Sequence, residues 1–243
     1  MTIFYVYVNG TYSVQSTVII DRVLLTIDSR YVADELFRKL PTVETRKGVK
    51  YFRTLTRKSP QFWSFDTTDG PADPAKLIMD ALYTHESLSE FRLNVMPKIL
   101  GSMYDRTVSW PIIPIVPGPD WLDNGVYFIR DKRRPDRYWN FVQPSVYVSD
   151  TKMSKFKIST VEFAEEEEES KVLIRSDLIR IRPLQAQGGC YLDVGQNGNN
   201  VLSVSLLAGE WTFGEFLGGF KEGGDNGAIE VTWGDDGDHW ELC

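Results

Sequence analysis

The residues best placed to do chemistry lie at the end of the chain, where Trp233-Gly-Asp-Asp-Gly-Asp-His-Trp-Glu241 sets carboxylates at 235, 236, 238 and 241 between and beside two tryptophans. Carboxylates this close could hold a hard cation, but the twelve-residue spacing and closing bidentate glutamate of an EF-hand are missing. The same residues would also make a plain hairpin turn with a solvated acidic tip. As an interface, Trp233 and Trp240 would anchor a partner while Asp235, Asp236, Asp238 and Glu241 steer its lysines and arginines. A second block, Glu165 to Glu169, repels itself and resists burial. It reads as a solvated loop between two strands, with Glu165, Glu166 and Glu167 as candidate contacts for a basic partner.

The counterweight is Arg130-Asp-Lys-Arg-Arg-Pro-Asp-Arg137, followed by Tyr138 and Trp139. Cations beside rings are the ingredients of a nucleic-acid patch, where arginine meets phosphate and the ring stacks on a base. The stretch is short and sits in an acidic chain, which favours a hairpin loop whose arginines pair with the acidic segment of the same or a neighbouring molecule. Arg46-Lys47-Gly48-Val49-Lys50 and Arg57-Lys58 read the same way.

Catalytic candidates are few. Of the two histidines, His85 falls at the end of a predicted helix, where a cation satisfies terminal carbonyls, and His239 has no zinc-ligand spacing. Cys190 follows Gly188-Gly189 and precedes Tyr191-Leu192, a context for a half-buried strand thiol rather than a nucleophile. No GxSxG, phosphate loop or GxGxxG occurs, so no cofactor is expected. A carboxylate-pair hydrolase leaves no local signature and stays an alternative.

Charge separates the chain more sharply than any motif. From Ala186 to Cys243 ten acids face one base, Lys221, while the first 185 residues carry 24 acids and 26 bases. The formal charge of -7 therefore divides into +2 and -9, an asymmetry that bears on partner choice and not on fold. Composition is that of a globular protein, 42% hydrophobic and 25% charged. No stretch approaches the ~20 apolar residues of a membrane span, and the first residues lack the basic region of a leader. A cytoplasmic, reducing location is expected, although two cysteines could still form a single bridge, Cys190 to Cys243.

The elements that must position these residues follow from pattern. Ile3 to Val8 alternates and then meets Asn9-Gly10, which predicts a tight hairpin turn. Val18-Ile-Ile and Val23 to Asp28 read as strands, and Ser29 caps a helix from Arg30 to Leu40, stopped by Pro41. Val49 to Thr56 alternates as a strand, and Asp73-Pro74 opens a second helix through Tyr83. The run Trp110-Pro-Ile-Ile-Pro-Ile-Val-Pro-Gly-Pro119 cannot enter a helix or a sheet, and its aliphatic residues suit packing better than swinging. Beyond it, eight strand-like runs are predicted, starting near Val126, Ser145, Lys157, Lys171, Leu178, Val201, Glu210 and Ile229. Thirteen of the 19 glycines follow Ala186, as tight reversals require.

The predicted class is α+β and β-dominated: a mixed lobe with two helices over 1–109, a Pro-rich connector over 110–120, and a mostly antiparallel β-rich lobe over 121–243 packed against the first. A β-trefoil-like second half, opened by Asp123-Asn-Gly-Val-Tyr-Phe-Ile-Arg, is the alternative, although aromatic spacing after Ala186 shows no threefold repeat. The functional expectation is a non-enzymatic antagonist or adaptor of toxin-immunity or inhibitor type. It would engage a basic protein surface, without a membrane and without direct nucleic-acid contact. Alternatives are a carbohydrate-binding module, motivated by seven Trp and eleven Tyr, and the hydrolase.

Overall fold

A computed structural model of the chain describes residues 3–14, 17–45, 48–52, 54–67, 74–101, 111–116, 118–161, 171–194, 200–223, 227–231 and 239–243. The fold is α+β and rich in strand, and it divides into two compact units, Met1–Pro117 and Gly118–Cys243.

The first unit is built from β1 (Phe4–Val14), β2 (Thr17–Ile27), α1 (Arg30–Lys39), β3 (Thr56–Ser59), β4 (Phe62–Asp66), α2 (Pro74–Thr84) and β5 (Val95–Gly101). Its sheet runs β3-β4-β1-β2-β5, with β1 parallel to β4 and the other pairs antiparallel. Alternation decides its inner face: Phe4, Val6 and Val8 lie opposite Ile27, Leu25 and Val23, and all six are buried. The helices cover that face with Ala33 and Leu36 from α1 and with Leu77, Ile78, Ala81 and Leu82 from α2. Ser29 caps α1 as predicted, its hydroxyl accepting from the Val32 amide at 3.3 Å.

Two local expectations for this unit fail. Asn9-Gly10 is not a turn but mid-strand, paired with Arg22 and Asp21 of β2 and with Ser64 and Phe65 of β4. A strand bonded on both sides gains more from its ladders than Asn-Gly gains from reversing. The predicted strand over 49–56 reduces to a bridge between Glu44 and Lys50, because Phe52 turns inward to the core and β3 starts only at Thr56.

The second unit contains β6 (Val126–Tyr127), β7 (Ile129–Asp131), β8 (Tyr138–Val142), β9 (Ser145–Ser149), β10 (Phe156–Thr160), β11 (Leu178–Pro183), β12 (Tyr191–Val194), β13 (Leu202–Ser205), β14 (Trp211–Thr212), α3 (Phe213–Gly218), β15 (Phe220–Gly223), β16 (Ala228–Val231) and β17 (Trp240–Leu242). Phe128 joins β6 to β7 and exchanges both backbone hydrogen bonds with Cys243, so the two act as one bent strand. Around it a ring is wired in the order β17, β7 with β6, β10, β11, β14. Three hairpins, β8-β9, β12-β13 and β15-β16, meet in pairs: Ser203 of β13 opposes Ser145 of β9, Ala228 of β16 opposes Tyr147 of β9, and β13 touches β16.

That wiring is trefoil-like, with α3 standing between β14 and β17 where a sixth ring strand would be. The His239 amide donates to Leu217 at 2.9 Å on one side of α3, and the Phe213 amide donates to Asp177 at 2.8 Å on the other. The helix corrects the expectation that helices are confined to the first half. Its cause is local: Thr212 and Glu215 form a reciprocal capping box, and Phe213, Phe216 and Leu217 bury one face. The predicted strand at Lys171 survives only as a bridge from Val172 to Leu122.

Candidate functional site

The acidic end and the basic turn, read separately in the sequence, are brought together by the register of β17 on β7. Glu241 falls directly opposite Arg130, and their side chains pair at 2.5 Å. This bond, the largest influence on Arg130, raises its guanidinium above the usual value. Two residues before Glu241, the His239 carbonyl accepts from the Lys132 amide at 2.9 Å.

The turn itself is organised by Asp131. Its Oδ1 accepts the Arg133 and Arg134 amides at 2.7 and 3.1 Å, and its Oδ2 accepts Arg134 Nε and Nη2 at 3.1 and 2.9 Å. Burial alone would raise this carboxyl, but the Arg133 amide and the Arg134 guanidinium and amide outweigh it and hold Asp131 below the usual aspartate range. Glu222 on β15 then takes Arg134 at 2.9 Å and Arg137 at 2.5 Å, tying the turn to the third hairpin. Arg180 and Glu210 make a similar bridge at 2.5 Å.

These bonds change the reading of several residues. Three of the five cations in the 130–137 stretch, Arg130, Arg134 and Arg137, are engaged with carboxylates of their own unit. Tyr138 is half-buried, and Trp139 is wholly buried, so the Trp139 ring serves the core and cannot stack on a base. Trp240, assigned above as a surface anchor, is also a core residue: it is 2% exposed, and its indole N–H donates to the Phe220 carbonyl at 2.7 Å. An indole packs more apolar area inside the unit than a rim position could offer it. Glu241, assigned as a steering charge, is half-buried and paired instead. Trp233, Asp235, Asp236, Asp238, Glu165, Glu166 and Glu167 lie outside the described residues.

The described tryptophans form no surface platform. Trp63, Trp121, Trp139, Trp211 and Trp240 are all buried, and Trp139 makes edge contacts to Phe156, Phe216, Phe220 and Trp240 at 5.5–5.7 Å. Trp110 and Trp233 are outside the described residues. His85 is held structurally at the end of α2, its Nδ1 2.7 Å from the Ser87 hydroxyl and its Nε2 3.0 Å from the Glu44 carbonyl. Cys190 and Cys243 are both free thiols. Burial pushes Cys243 up, and Glu241 adds to this against the opposing pull of Arg130.

Once the pairs are made, the second unit's charge has a simple distribution. Its described residues hold 12 acids and 13 bases, close to neutral. The other ten acids sit without any base in 162–170, 224–226 and 232–238, the segments that join β10 to β11, β15 to β16 and β16 to β17. The pairing that makes this visible spans up to 111 residues of chain and leaves no local signal. Among the described residues no helix is long and apolar enough to cross a membrane, and no group of three or more His, Cys, Asp or Glu is disposed to hold a metal ion. No protein-family model, no curated protein and no solved structure matches the chain.

Proposed function

We propose that this protein is a non-enzymatic binding protein, an acidic antagonist or adaptor of inhibitor or toxin-immunity type. It engages a basic protein surface through the carboxylates of its second unit. One observation carries the reading: ten acids and no base in three connecting segments, on a body whose own carboxylates are largely taken up by arginines, turns and caps. A near-neutral body with base-free acidic connections concentrates its negative potential there, which speeds encounter with a cationic partner and disfavours acidic ones. In this reading Trp233, Asp235, Asp236, Asp238 and Glu165 to Glu167 are the partner contacts. The holding energy comes from Trp233 and not from Trp240. The two free thiols support a reducing, cytoplasmic setting for this function.

The test begins with affinity capture from the native cell at low salt and identification of what high salt releases. The association rate of the captured partner is then measured by stopped flow against the parent and the joint change Asp235→Asn, Asp236→Asn, Asp238→Asn. The expected result is a several-fold slower association and a weaker salt dependence, with unchanged melting, because Asn keeps shape and removes charge. Equal rates for both proteins, or rates indifferent to salt in the parent, would remove the reading.

A further inference from the structure

The run that links the two units is more than a spacer. Its prolines recur every third residue, Pro111, Pro114 and Pro117, the period of a polyproline II helix, which has three residues per turn. Proline holds its own φ near about -65° and drives the residue before it into extended conformation, so Ile113 and Val116 are constrained as well. Neither helix nor strand is assigned over 111–116.

Exposure along the run follows the same period. Ile113 and Val116 are half-buried, and Val116 packs on the core of the first unit. Ile112 and Ile115, on the next ridge of a three-residue helix, keep 101% and 88% of their reference exposure, and Pro114 is exposed beside them. The backbone is also pinned. The Tyr7 hydroxyl donates to the Pro111 carbonyl, Gln61 Nε2 donates to the Pro114 carbonyl at 3.0 Å, and the Val116 amide donates to Gln61 Oε1 at 2.8 Å. Two fully solvated isoleucines on a fixed backbone contribute nothing to the stability of their own unit. They are nevertheless ordered as a ligand for a groove would be.

We propose that residues 111–116 are a preorganised polyproline II ligand. Through Ile112, Pro114 and Ile115 it docks into the aromatic-lined groove of a partner domain that reads this helix. The chemistry selects the occupant: flat rings pack against a proline ridge, and the two isoleucines fill the shallow pockets between the rings. Pinning by Gln61 and Tyr7 lowers the ordering cost that a free proline-rich peptide would bear on binding. The proposal does not depend on the acidic segments, and its test separates the two.

The full chain is titrated against a panel of purified SH3, WW and EVH1 domains by isothermal calorimetry. Binding to at least one is expected, displaced by that domain's own proline-rich peptide. The joint change Ile112→Asp, Ile115→Asp is expected to weaken it at least tenfold, and the Asp235→Asn, Asp236→Asn, Asp238→Asn protein to bind as the parent does. Melting of the Ile112→Asp, Ile115→Asp protein within about a degree or two of the parent shows that the fold survives, as substitutions at exposed sites allow. Three results would overturn the proposal: no binding to any of the domains, affinity unaltered by the paired aspartates, or self-association of the parent that those aspartates abolish, which would make a second copy the occupant.

Discussion

The two units bury different kinds of residue and carry opposite charge. The first, at +2, closes an aliphatic and mixed core under two helices, and a deeply buried ion pair, Asp34 with Arg57 at 2.6 Å, sits beside it. The second, at -9, is centred on Trp139 and its ring of Phe156, Phe216, Phe220 and Trp240, and its ion pairs lie half-exposed along strand edges. The contrast follows from architecture. Helices can lay long aliphatic stripes on a sheet, whereas short strands that meet by threes converge on one point, and few large flat rings fill such a point best. It also bears on the charge: a unit whose centre is taken by aromatics places its carboxylates on turns, strand edges and connections, where arginines reach Asp131, Glu210, Glu222 and Glu241.

The largest test of this contrast is Trp139→Ala. Removing a fully buried indole that four rings touch should cost about 3–5 kcal/mol. Urea unfolding should therefore shift strongly, while hydrogen exchange of the β1 and β2 amides in the first unit should stay as in the parent. Loss of protection in β1 and β2 of equal size would show that the two cores are one cooperative body.

A smaller effect is expected from Asp131→Asn, which keeps the size of the cap but weakens its bonds to two amides and ends its pairing with Arg134; about 1.5–3 kcal/mol is the scale for a hydrogen bond to a charged group. The pH dependence has a fixed sign. Because the folded carboxyl titrates below the unfolded value of about 3.9, its stabilisation is present above that pH and is lost as pH falls through the lower folded value. Acid unfolding of the parent, followed by circular dichroism, should therefore be steeper below about pH 4 than that of the Asn protein. Identical acid limbs would mean that Asp131 does not hold the turn.

The smallest effect is expected where the acids have no base beside them in sequence. Changing Glu165 to Glu169 jointly to Ser should move the melting temperature by no more than about a degree or two, since like charges in a solvated connection lose no packing when removed. A drop of many degrees would place those carboxylates inside an ion-pair network like that of Glu222.

Much of the first unit was legible because its signals are local. Ser29, the stripe of Val32, Leu36 and Leu40, and Pro74 at the start of α2 each act within one or two turns of chain. Where a distant strand competes, the local signal loses, as it does for Asn9-Gly10 between β2 and β4. Thr212 and Glu215 were a readable capping box in a region whose strand pattern concealed it. Tyr138-Trp139 was likewise a strand in view, hidden by the arginines before it. The trefoil-like wiring could not be found by counting residues: one third of it carries the 162–170 connection and another a helix in place of a strand, so pairings repeat where spacings do not.

The sequence by itself determined the quantities that do not depend on distance: the β-rich composition, the division of charge into +2 and -9, the caps, and the three-residue period of the proline run. Only the tertiary structure decided which of the described charges pair within the chain and which of the described tryptophans are buried. Whether Glu241 steers or pairs depends on Arg130 lying opposite it across a ladder 111 residues long in chain terms, and whether Trp240 anchors or packs depends on Phe220 and Trp139 meeting it there. Coulomb attraction and apolar burial both act over a few ångströms of space, and proximity in space is set by strand pairing, which no stretch of the chain encodes alone.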